Sequence, residues 1–152
     1  MSWEPAALIG WALAIAVLDG RNRRLPNFLT FGVALLALIW LGAVGRGLLD
    51  TSPVSNLLAA GVFLMFLVPG YARHWVGGGD VKLGLAMGLL GGIQVTLVTL
   101  GAGGLLLAGL GWHASRNRRA EQPPRVVPWG TAHGIAFAGA VIAAPYFPGG
   151  VY

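Results

Sequence analysis

The chain has 152 residues, 56% of them hydrophobic and 10% charged, with a mean hydropathy of +0.72. A soluble domain carries about 25% charged residues, so this composition excludes an ordinary water-soluble protein and points to an integral membrane one; with no cysteine, disulfides and thiolate metal sites are excluded too. The net charge of +5 raises nucleic acid as a partner, but the basic residues fall in short gaps between apolar runs, a pattern of membrane topology and not of a binding face.

The amino terminus, Met1-Ser2-Trp3-Glu4-Pro5, carries an acid where a secretory signal carries Lys or Arg. The first apolar run is therefore read as a retained helix. Runs of about 17–25 residues are the unit to look for, because the hydrocarbon core is about 30 Å thick. The first covers 5–18, short for a full span, and stops at Asp19. A basic loop follows, Gly20-Arg21-Asn22-Arg23-Arg24-Leu25-Pro26-Asn27, whose proline suits the start of the next helix. The second run, 28–49, spans comfortably, and a polar break at Asp50-Thr51-Ser52-Pro53 leads to the third, 54–71.

Arg73 and His74 then precede Gly77-Gly78-Gly79-Asp80-Val81-Lys82-Leu83. The apolar stretch 81–90 sets Gly84, Gly88 and Gly92 at four-residue spacing, a smooth face for close helix packing. Gly91-Gly92 reads as a tight turn before a fifth run, 93–112. A polar loop with Arg116, Arg118, Arg119 and Glu121 separates it from a sixth run, which begins after Arg125 and ends near Tyr146-Phe147-Pro148. The expected architecture is a single all-α polytopic membrane domain over residues 1–152, with about six transmembrane helices.

Nine of the ten Lys and Arg residues fall in gaps one, three and five, and only Arg46 falls near gap two. The positive-inside bias makes the first set cytoplasmic and puts both termini outside. Trp75, Trp112 and Trp129 then mark inner helix ends, and Trp3 and Tyr146 outer ends.

On this topology Asp19 and Asp80, about sixty residues apart, both lie at cytoplasmic helix ends. Two carboxylates brought together cannot both ionise easily, so the pair can share one proton across a water. That suits peptide hydrolysis: one acid takes a proton from the attacking water while the other polarises the carbonyl. Gly77, Gly78 and Gly79 let a partner or an extended substrate backbone approach.

Plainer readings stand beside this one. Asp19 can be a solvated acid paired with Arg21 or Arg23. Asp80 can be a helix N-cap with Lys82 beside it. Two inward-side aspartates suggest a proton or cation relay in a small transporter or channel about as strongly as a protease. His133 can hydrogen-bond to a neighbouring helix. Neither it nor His113 has a second ligand at metal spacing, so no metal or cofactor is expected. The glycine-rich stretch from Gly101 lacks a Lys-Ser/Thr ending and reads as packing surface, not a nucleotide loop.

The glycine stretch resembles the G-x-G-D-x-K-L signature of type IV prepilin peptidases, which are intramembrane aspartic proteases. Asp19, followed seven residues later by Pro26-Asn27, is similar to that family's first motif. Val127-Pro128-Trp129-Gly130-Thr131-Ala132 resembles the segment opening its last helix. The resemblance implies a catalytic dyad of Asp19 and Asp80, with Gly77, Gly78, Gly79, Lys82, Pro26 and Asn27 in support. It implies cleavage of a basic prepilin leader at the cytoplasmic face of a bacterial inner membrane. The larger members also N-methylate the product and carry a cytoplasmic insert with Cys-x-x-Cys pairs. With neither cysteines nor a long insert here, the chain resembles the small peptidase-only branch that serves tight-adherence, Flp-type pili. The implied partners are the prepilin and membrane lipids, whose anionic headgroups can offset a basic rim facing a basic leader.

Overall fold

The computed structural model describes residues 3–22, 25–116 and 129–147. Readings that rest on Arg23, Arg24, Arg118, Arg119, Glu121, Arg125 and the start of the segment at Val127 lie outside the described residues. The described residues are mostly helical, joined by short turns and irregular links, with no strand among them. In chain order they form α1 (Glu4–Asn22), a π-helical turn (Phe28–Gly32) running directly into α2 (Val33–Val44), α3 (Pro53–Ala72), α4 (Gly78–Arg116) and α5 (Trp129–Ala143). A 3-10 turn, Ala144–Tyr146, closes α5.

Among the described residues two helices are long and apolar enough to cross a membrane, one spanning Pro53–Ala72 and the other Gly78–His113. The apolar segment Phe28–Val44 is shorter than the 28–49 run expected to span comfortably. The hydropathy continues through Leu48-Leu49, but the backbone stops at Gly45, which takes φ 73° and closes α2 with an N–H bond to the Leu41 carbonyl. A left-handed residue after the last turn is the usual glycine stop. The polar break before α3 is its cap: Ser52 Oγ accepts from the Ser55 N–H at 3.2 Å, and Pro53 stands at the first helical position. Asp19 does not end its helix, because α1 carries it inside and continues to Asn22.

The fourth and fifth expected helices are one element, α4, broken at Gly92, whose φ of 69° and ψ of −178° are not helical. Counting its halves separately gives six helical segments among the described residues, in the expected order. In an unbroken helix the Leu89 carbonyl would accept from the Ile93 N–H. At the break α3 supplies both substitutes: Asn56 Nδ2 donates to Leu89 O, and Ser55 Oγ accepts from Ile93 N at 3.0 Å. Asn56 is fully buried and is itself held by the Thr51 hydroxyl. These two backbone groups at the break are thus paired with side chains of α3.

α4 is the central element, packed against α3, α5, α2 and the π-helical turn, while α1 packs on α5. The small-residue face works as expected at two of its three glycines. A Cβ on Gly88 would lie 2.5 Å from the Ala60 nitrogen, and one on Gly84 would lie 2.4 Å from Leu67. Phe63, Leu83, Met87, Leu89, Ile15 and Phe137 fill the core between these helices. Leu35, Leu36, Ile39, Leu57, Leu58, Met65, Phe66 and Leu105 face outward, an apolar exterior that suits lipid.

Candidate active site

Asp19 sits in the last turns of α1 and is only 6% exposed. A carboxylate buried to that degree needs donors, and α5 provides them. The Thr131 N–H donates to Asp19 Oδ2 at 2.8 Å. The one Thr131 hydroxyl proton is shared between Asp19 Oδ2 at 3.3 Å and the Ala16 carbonyl at 3.1 Å. Thr131 is the third residue of α5, so its N–H is among those left without an intrahelical acceptor. Asp19 therefore caps a helix to which it does not belong. The approach is close because the facing residues are small. A Cβ on Gly130 would stand 3.0 Å from Asp19 Cγ, and one on Gly134 would stand 2.8 Å from the Ala12 carbonyl.

Asp80 is held differently. Gly77 precedes α4, and its carbonyl accepts from the N–H groups of Asp80 at 3.0 Å and Val81 at 3.3 Å. In return, Asp80 Oδ2 accepts from the Gly77 N–H at 3.1 Å. This is the reciprocal half of a capping box, with Gly77 at the N-cap and Asp80 three positions on. Asp80 is therefore not the N-cap residue itself. Of the glycines, Gly77 touches the carboxylate, since its Cβ would lie 3.3 Å from Oδ2, and Gly78 lies beside the Tyr71 ring. Around Gly79 there is open space.

Asp80 lies near enough to Asp19 to feel its charge. Lys82 does not pair with Asp80; its Nζ donates to Asn27 Oδ1 at 2.9 Å. This bond ties the residues after the first aspartate to those after the second, 55 positions on. Asn27 makes no side-chain cap of its own, which leaves its amide oxygen for the lysine. Pro26 contributes a carbonyl that accepts from Leu29 N at 3.0 Å and from the Thr30 hydroxyl at 3.4 Å, starting the π-helical turn. The Trp11 indole donates to the Leu29 carbonyl at 3.0 Å and pins that turn to α1. π-helical segments recur at functional sites.

The start of α5 thus faces Asp19, and the start of α4 carries Asp80. Each presents the positive end of its dipole.

Asp19 bonds to Thr131 and not to Arg21, and Arg46 pairs with Asp50. His133 does not bond to a neighbouring helix: its Nδ1–H donates to the Trp129 carbonyl one turn back, at 3.2 Å. Its ring stacks on Trp129 at 3.8 Å and presses against Gly103 of α4. Trp129 is accordingly a packing residue, whereas Trp3, Trp75, Trp112 and Tyr146 are exposed as interfacial anchors require. In the glycine-rich stretch only Gly103 packs closely, and Gly101 and Gly104 face open space. Among the described residues no three His, Asp or Glu side chains gather at metal-binding distance.

Thr131 and Gly130 are the site residues that sequence reasoning passed over. They stood inside the segment read as opening the last helix, and the available signal was a glycine and a hydroxyl in a first helical turn. The model of the type IV leader peptidase family matches residues 6–112, which is more than half of the chain and includes Asp19 and Asp80 but not α5. No curated protein and no solved structure matches.

Proposed function

The chain belongs to the type IV leader peptidase family, and from that premise we propose that it is an intramembrane aspartic endopeptidase acting through Asp19 and Asp80. The observation that carries the proposal is the bond from Lys82 Nζ to Asn27 Oδ1, which ties the motif that carries Asp80 to the motif that carries Asp19. Like charges brought near each other resist ionising together, which favours one proton held by the pair. The ionised carboxylate takes a proton as a water oxygen attacks the scissile carbonyl carbon. The protonated one donates to the carbonyl oxygen. Collapse of the tetrahedral intermediate then breaks the C–N bond, and the departing amine takes a proton from the dyad.

The substrate on this reading is a Flp-type prepilin, cut between its basic leader and its hydrophobic helix. The enzyme is multi-pass in a bacterial inner membrane and cuts at the cytoplasmic face, with both termini outside. The charge distribution along the chain supports that orientation. The open side of Gly79 gives an extended backbone room beside Asp80. Gly77 and Gly78, with Lys82, Asn27 and Pro26, shape the helix starts around it. A cysteine-free chain without a long insert supports peptidase activity alone, without N-methylation.

Co-expression with a prepilin tests the dyad. Asp19→Asn and Asp80→Asn should each leave the precursor at full length, and wild-type processing by either would overturn the assignment. A reporter fused after Arg119 should read cytoplasmic; a periplasmic signal would overturn the orientation.

A further inference from the structure

In both aspartates the bond that anchors the carboxylate goes to Oδ2, from a backbone N–H at a helix start. An N–H can only donate, so an oxygen that accepts from it cannot carry the exchanged proton in that same direction. For Asp80 the anchor is local, from Gly77. For Asp19 it is remote and involves Thr131 twice, through the N–H at 2.8 Å and in part through the hydroxyl at 3.3 Å. Gly20 leaves room for this hydroxyl, since a Cβ there would stand 3.3 Å from Thr131 Oγ1. Gly130 lets α5 come against the Asp19 carboxylate itself.

We propose that Thr131 is a positioning residue: it fixes the Asp19 carboxylate through Oδ2 and leaves Oδ1 as the oxygen that serves the attacking water. This rests on the dyad reading above. It adds a requirement that the family match does not carry, because the matched region ends at residue 112, before α5 begins. The start of α5 then belongs to the catalytic machinery as the support of Asp19, through its contacts to Oδ2.

The test is a graded series on the full-length protein in detergent or liposomes. The substrate is a synthetic peptide carrying a basic leader and the start of a hydrophobic helix, one that the wild-type chain cleaves. Thr131→Ser keeps both donors, Thr131→Val keeps the N–H alone, and Thr131→Pro keeps neither while remaining compatible with a first helical turn. The expected result is a kcat near wild type for Ser, reduced about threefold for Val and about tenfold or more for Pro, with KM unchanged. Wild-type kcat in Thr131→Pro would overturn the proposal. So would a Ser variant as impaired as Pro, or a loss confined to KM, because each would mark Thr131 as packing only.

If Thr131→Pro does not accumulate, Gly130→Ala decides the matter. It keeps both donors but drives a methyl against Asp19 Cγ, and it should lower kcat; an unchanged kcat would overturn the proposal. The two levels fail separately. Cleavage by Asp19→Asn at the wild-type rate sinks the dyad itself, whereas an inactive Asp19→Asn beside a fully active Thr131→Pro sinks only the role of Thr131.

Discussion

Asp19 and Asp80 are held in place by opposite routes. Asp80 is fixed within a four-residue turn, by the N–H of a glycine three positions before it. Asp19 is fixed by a residue 112 positions away, on the last helix. One carboxylate is set by local backbone geometry, the other by the packing of α1 on α5. A pair built this way is complete only when the whole bundle has formed, because α4 carries one member while α5 holds the other in position. The N-terminal part of the chain contains both acids but not the group that orients the first.

The largest expected effect tests whether the two routes end in one function. Replacing either carboxylate by its amide should lower prepilin processing at least ~100-fold, the usual scale for a positioned acid or base, as read from the ratio of precursor to product. The two losses should be of similar size despite the different surroundings. If Asp80→Asn were inactive and Asp19→Asn merely slowed, the two would not act as a pair, and the locally held residue would stand alone.

Next in size are changes to the seat of α4. Gly88→Ala puts a methyl where the Ala60 backbone already lies, at 2.5 Å. Overpacking of this kind costs about 1–3 kcal/mol and should lower the thermal unfolding midpoint. Gly101→Ala, on the open face of the same helix, should leave it unchanged or raise it. Equal effects at both positions would mean that α3 and α4 do not approach as closely as the glycine face implies.

The same contrast explains what the sequence disclosed. The Asp80 turn was legible because everything that shapes it is contiguous, three glycines and an acid in a row. A close-packing face was legible from the spacing of Gly84 and Gly88, and the break in α4 from Gly91-Gly92. The partners were not. Nothing in the order of residues says that Ser55 and Asn56 take over the hydrogen bonds lost at Gly92, or that Thr131 receives Asp19. These pairings depend on which helix faces lie together, and hydropathy does not record that in a chain that is apolar nearly all round. The end of α2 was misjudged for a related reason. Oil content continued to Leu49, while the backbone obeyed the conformation of Gly45.

A smaller effect is expected at Gly79, where local structure and function separate. A methyl there meets open space, and replacing glycine by alanine inside a helix favours the fold by about 0.5–1 kcal/mol. Gly79→Ala should therefore keep or raise the unfolding midpoint. If an extended substrate lies beside Asp80, the same methyl should slow cleavage severalfold. Cleavage at the wild-type rate would reduce this glycine to loop chemistry and place the substrate on another side of the dyad.

The smallest effect concerns a direct bond between the two motifs, from Lys82 Nζ to Asn27 Oδ1. Asn27 is exposed and Lys82 half-buried, so water competes for both groups and the bond contributes about 0.5–1.5 kcal/mol at most. Lys82→Met keeps the apolar stem and removes the donor, and Asn27→Ala removes the acceptor. If the bond holds the two motifs in register, each single change should cost a little stability and the double change no more than the larger single one. Strict additivity would mean that the lysine and the asparagine act independently. The register between the locally set aspartate and the remotely set one would then rest on helix packing alone.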